Sequence, residues 1–173
     1  MRYLRFPVMA STLALAACAT PSPQIDAQRS FPMVDVQWAG RFAVDYTSTI
    51  ADGDIGLSGT RAQSRGGRPI EETSKIPAVL GTHFGYSYVI RGTSKRDVKV
   101  RYIWRFPPGG LRNASTGVVA MYVEKELSCR IGDVCSAAWF LNHDWELRPG
   151  KWTGEIWLGA HLLASHDFEL VLP

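Results

Sequence analysis

The chain has 173 residues, 46% of them apolar and 20% charged, enough for one hydrophobic core and too evenly mixed for a disordered tail or a polytopic membrane protein. Its 19 basic against 16 acidic residues give a formal charge of +3 and an isoelectric point near 8.9. Arg2 and Arg5 sit in an amino-terminal leader, so the remainder carries 17 against 16, a net of +1 that argues for no particular partner.

Met1–Cys18 holds those two arginines, an apolar run from Val8 to Leu15, then small residues. This is the layout of a secretory signal, with an apolar stretch too short to span a bilayer as a helix. Its last four residues, Leu15-Ala16-Ala17-Cys18, resemble the lipobox of bacterial lipoproteins. The resemblance implies that residues 1–17 are removed and that Cys18 becomes a lipidated first residue. Each buried acyl methylene then contributes roughly 0.8 kcal/mol to membrane attachment. Ala19, where Asp would favour inner-membrane retention, points to an outer-membrane lipoprotein facing the periplasm of a bacterial cell envelope. The competing reading is an ordinary cleaved signal with Cys18 near the cut. Residues 18–32 are rich in Pro, Ser, Gln and Ala without a period, and read as a tether to a single domain over 33–173. An export signal also disfavours nucleic acid as a partner.

Three cysteines are an odd number, but lipidation of Cys18 leaves Cys129 and Cys135 as a candidate disulfide in an oxidising compartment. Closing so short a loop stabilises by roughly 2 kcal/mol, and the expectation is a bridge that pins a loop without joining two sheets. Two unpaired thiols are the alternative.

Within the domain, two-residue alternation dominates. Val34, Val36 and Trp38, then Phe42, Val44 and Tyr46, predict a long first strand bent near Gly40. Thr47–Pro77, with five glycines, predicts a long loop holding at most one short strand. Gly81–Arg91 puts Phe84, Tyr86, Tyr88 and Ile90 on one face, and Val98–Phe106 sets Val98, Val100, Tyr102, Trp104 and Phe106 against Lys99, Arg101, Ile103 and Arg105. The Pro107-Pro108-Gly109-Gly110 run must end that strand. Further strands are predicted over Gly117–Glu124 and Ala137–Leu141. The closing segment reads as a turn at Pro149-Gly150, a strand, a turn near Gly159-Ala160 and a last strand with Leu162, Ala164, Phe168, Leu170 and Leu172 inward and His166 breaking the apolar pattern. No segment beyond the leader shows helical periodicity. The prediction is an all-β domain, an antiparallel β-sandwich of about seven strands.

Gly81-Thr82-His83-Phe84-Gly85-Tyr86, the Pro107-Pro108-Gly109 turn, Trp145-Glu146-Leu147, Pro149-Gly150-Lys151-Trp152, Leu163 and Phe168 together resemble the bacterial family catalogued as domain of unknown function 3859. The likeness runs from about Ile76 to the end. It implies an immunoglobulin-like fold, carries no assigned activity and transfers no functional residue. Cys129, Cys135 and Thr47–Pro77 fall outside that pattern.

The candidate chemistry is sparse. His161 and His166 lie on opposite parities and cannot converge on one metal, and no ligand motif includes His83 or His143, so no metal or cofactor is expected. His143 beside Asp144 could orient a base, as an envelope hydrolase would need, but no nucleophile motif accompanies it. Trp38 and Trp104 read as core. Trp139 and Trp145 flank the Asn142–Asp144 turn, and Trp157 shares its parity with Thr153 and Glu155, so these three are the candidate platform for a glycan-binding module. Lys99, Arg101 and Arg105 form a candidate cationic face for anionic lipid or an acidic partner, with pairing to acidic strands as the alternative. The expected protein is a non-catalytic, lipid-anchored module that binds or scaffolds an envelope protein or glycan.

Overall fold

The computed structural model describes residues 31–51, 57, 59–65, 67–92 and 96–173. The leader, Cys18 and the tether up to residue 30 lie outside the described residues.

Thirteen strands run through the described residues: β1 (Met33–Ala43), β2 (Tyr46–Ala51), β3 (Thr60–Arg65), β4 (Arg68–Glu72), β5 (Lys75–Pro77), β6 (His83–Arg91), β7 (Asp97–Arg105), β8 (Leu111–Arg112), β9 (Val119–Ala120), β10 (Tyr122–Arg130), β11 (Val134–Phe140), β12 (Gly150–Leu158) and β13 (His161–Val171). Seven of them, β1, β6, β7 and β10 to β13, have seven residues or more. With β4 and β5 they build a four-stranded sheet in the order β11-β6-β1-β4 and a five-stranded sheet in the order β10-β7-β12-β13-β5. All pairings in these two sheets are antiparallel except the short parallel pairing of β5 with β13. The antiparallel sandwich expected from alternation is therefore present.

Between the sheets the alternating residues meet. Phe84 and Tyr86 from β6 face Trp104 from β7, Trp152 from β12 and Phe168 from β13, all buried. Phe84 makes edge contacts to the rings of Trp104, Trp152 and Phe168 at 5.4, 5.9 and 5.3 Å between centroids. Burying one such ring is worth roughly 4 to 6 kcal/mol by area, as an upper bound. A glycine makes room for them: a Cβ on Gly154 would lie 2.8 Å from Tyr86 and 3.3 Å from Trp104.

The structure corrects four sequence expectations. Thr47–Pro77 contains β2, β3, β4 and β5. β2 and β3 form a separate two-stranded ribbon, every residue of β4 is exposed, and β5 spans only three residues, so β4 and β5 offer no run of half-buried alternation to reveal a strand. A bulge between Val36 and Trp38 shifts parity in β1. Ala39 then enters the core, while Trp38 turns outward and meets Phe42 edge to face at 4.5 Å. A second bulge, between Ile156 and Trp157, shifts the β12–β13 register. Leu162 is consequently exposed and Leu163 packs on the core, while His166 keeps the parity of Phe168 and lies beside Tyr86 and Phe168 as the polar break in the inward row.

The fourth correction concerns Cys129 and Cys135, which form a disulfide with Cα atoms 6.1 Å apart. Cys129 lies on β10, at the edge of the five-stranded sheet, and Cys135 on β11, at the edge of the four-stranded one. The chain changes sheets between them, so the short loop does join the two layers.

Candidate functional site

The cationic face is occupied by its own counter-charges. On the outer side of the five-stranded sheet, Lys99 pairs with Glu126 at 2.9 Å and Arg101 with Glu124 at 3.1 Å. Arg105 donates to both Glu155 oxygens at 2.7 and 3.1 Å and lies over the Tyr122 ring. Strand register explains this, because β10 sets its glutamates beside β7 on one side and β12 sets Glu155 on the other. Burial raises the Glu155 pKa, but the hydrogen bonds from Arg105 and from the Trp157 indole outweigh it and hold the carboxyl below its usual value. The arrangement is a ladder of exposed ion pairs, each worth about 0 to 1 kcal/mol, without a surplus of positive charge on these three side chains.

The three tryptophans do not form a platform. Trp139 points into the core against Trp104, Phe106 and Trp152. Trp145 stacks on His143 at 5.0 Å and packs on the core. Trp157 is half-buried between Arg101 and Leu162 in the register, its indole N–H donated to Glu155 at 2.8 Å. They belong to three separate environments.

The His143-Asp144 turn is a 3-10 turn, Asp144–Glu146, organised by a residue the sequence reading passed over. Glu146 is buried, and one of its oxygens accepts the backbone N–H groups of Asn142 and His143 at 2.7 and 2.9 Å. Burial pushes its pKa up to about 7, against the pull of those two bonds and of the nearby Trp139 indole, which approaches without completing a hydrogen bond. The only sequence signal was an acidic residue three positions after His143, a capping spacing. Its role is to close the turn. Among the described residues no group of three His, Cys, Asp or Glu side chains converges as a metal site.

The surface with the most recognition chemistry is the outer side of the four-stranded sheet. In antiparallel pairing, directly opposed residues share a face. Three levels follow from the register of β1, β6 and β11: Trp38, Ser87 and Ser136; Gly40, Gly85 and Ala138; Phe42, His83 and Phe140. Trp38 and Phe42 contact each other over the glycine level, and His83 stacks on Phe140 at 4.0 Å with 15° between planes. All four rings are half-buried. Gly40 and Gly85 face each other with φ of 151° and 153°, a conformation side chains rarely adopt, and a Cβ on either would strike a neighbouring carbonyl oxygen, of Glu71 or Ala137. Both glycines are buried, with Trp38 and Phe42 in contact across their level. Partial burial lowers the His83 pKa and favours a neutral ring, outweighing the opposing contact with the Gly81 carbonyl at 3.2 Å. Phe42 and His83 also border a groove of about 510 Å³ whose walls include Ile70, Val79 and Leu80.

No family model matches the chain, and no curated protein matches it. Among solved structures, an immunoglobulin-like protein of Pseudomonas aeruginosa is similar with a TM-score of 0.57 and 19% identity, over 84% of this chain and 100% of that one. The fold is accordingly an immunoglobulin-like β-sandwich. A Pseudomonas fluorescens alkylpurine DNA glycosylase bound to DNA with an abasic-site analogue reaches a TM-score of 0.33 at 17% identity, over 56% of this chain and 27% of that one, too loose to bear on function.

Proposed function

We propose that this chain is a lipid-anchored protein of the bacterial cell envelope whose immunoglobulin-like domain binds a partner and does no chemistry. The observation that carries the binding role is the outer face of the four-stranded sheet, where four half-buried rings cluster around two buried glycines, while the opposite face is laced with ion pairs. The anchor rests on the Leu15-Ala16-Ala17-Cys18 motif, and the Cys129–Cys135 disulfide fits an oxidising compartment.

Metabolic fatty-acid labelling tests the anchor. Label is expected on the native chain and absent from Cys18→Ser; label retained by the variant sinks the lipidation. A photoreactive residue replacing the exposed Ala138 tests the binding face in intact envelopes. Capture at Ala138 and none from the same group at Lys99 is expected, and the reverse pattern would put the partner on the wrong sheet.

A further inference from the structure

We infer that the free edge of β11 is a self-association site, where the same strand of a second copy adds antiparallel about a two-fold axis at Ala137 and joins two four-stranded sheets into one. The inference goes beyond the binding-module reading and does not depend on it.

The two main sheets have four edges, and three of them carry features that discourage strand addition. β4 holds Pro69 among Arg68, Glu71 and Glu72. β5 is three residues long and ends in Pro77. β10 sets Lys125 on the inner parity, between Val123 and Leu127, and lines its other side with Glu124, Glu126 and Arg130. β11 has none of these. Its seven residues include no charge and no proline, and its register with β6 runs without a bulge.

Backbone direction fixes which groups that edge offers. Leu141 donates its N–H to the Thr82 carbonyl, and a Cβ on Gly85 would strike the Ala137 carbonyl oxygen, so the odd-numbered residues of β11 face β6. Val134, Ser136, Ala138 and Phe140 therefore turn their N–H and C=O groups away from the sheet. In a second copy turned about Ala137, each of the four meets another of the set, Val134 with Phe140 and Ser136 with Ala138, each twice. Four opposed pairs that each exchange two bonds give about eight main-chain hydrogen bonds. Valine beside an aromatic ring is a favourable cross-strand pair, and the small central pair lets the backbones approach. No charged side chain of β11 is set against another. A foreign strand would find no charge on β11 to read, whereas a second copy brings the matching order of large and small side chains by symmetry.

The test is sedimentation equilibrium of the purified full chain in a density-matched non-ionic detergent, from about 1 μM to 1 mM. A seven-residue edge lies at the small end of specific interfaces, so a reversible monomer–dimer equilibrium within that window is expected. Ala138→Pro removes an N–H that faces away from β6 and should weaken the dimer about tenfold or more with an unchanged melting temperature. Ser136→Lys adds a charge at an exposed position and carries the same expectation should the proline disturb β11, while Ser128→Lys on the β10 edge should leave the dimer intact. Mild oxidation of Ser136→Cys chains mixed with Ala138→Cys chains should crosslink the mixture faster than either alone, because those positions oppose each other. Monomer throughout the range, a dimer that neither Ala138→Pro nor Ser136→Lys weakens, or crosslinking no faster in the mixture would overturn the self-pairing. If the chain stays monomeric while a photoreactive group at Ala138 captures a different protein, the second copy falls and the binding module stands.

Discussion

A carboxyl group at 3% exposure is costly to ionise, and Glu146 shows how the protein limits that cost. Two backbone N–H groups converge on one oxygen, yet burial still raises the pKa from 4.5 to about 7. The folded state therefore holds a proton between pH 4.5 and 7 that the unfolded chain has lost. Stability from this group is full below pH 4.5, declines as pH rises through 7, and falls by roughly 3 kcal/mol in all. His83 and His166, whose pKa values burial lowers, act in the opposite sense, losing stability as pH falls below 6.5. The informative quantity is thus a difference. In Glu146→Gln, whose amide oxygen can accept both N–H groups, denaturant unfolding across pH 4.5 to 7.5 should lack the decline that the native chain shows. Gly154 supplies a second test at this scale, since Gly154→Ala must push against Tyr86 and Trp104 inside a filled core. It should cost about 1 to 3 kcal/mol in the same measurement. Neither residue announced itself: Glu146 looked like one more acidic side chain, and Gly154 like an ordinary strand glycine.

At the scale of elements, legibility followed burial. β7, β12 and β13 each set one face on the core and one toward solvent or a charged ladder, so their alternation survives in the sequence, and β6 shows it through the aromatic residues of its inner face. β4 is exposed throughout and left no period to read. Bulges did more damage than missed strands, because a single inserted residue sends every later side chain to the other face. That is how Trp38 was read as core and Leu162 as buried. The Cys129–Cys135 bridge was anticipated, but its mechanical role depended on which sheet each strand joins, a property of topology that spacing does not encode. Replacing both cysteines by serine should lower stability by roughly 2 kcal/mol. Hydrogen exchange should quicken first along β10 and β11 and least in β12, which lies between β7 and β13.

Taken whole, the molecule has two faces of opposite character. The five-stranded sheet turns outward a lattice of arginine, lysine and glutamate that compensates itself, and the four-stranded sheet turns outward half-buried rings and serine hydroxyls, with Glu72 of β4 beside them. The charged face was plain in the sequence because alternation along β7 displays Lys99, Arg101 and Arg105 together. Its neutralisation was not, since Glu124, Glu126 and Glu155 come from other strands. The aromatic face was invisible for the same reason: Trp38, His83 and Phe140 stand far apart in the chain, and a bulge and two unusual backbone conformations bring them together.

One sulfur bond also ties the sandwich to its surroundings. Because that bond bridges opposing layers at their shared margin, a reduced copy folds with one side of the sandwich unlatched, and oxidation of the two thiols completes the closure.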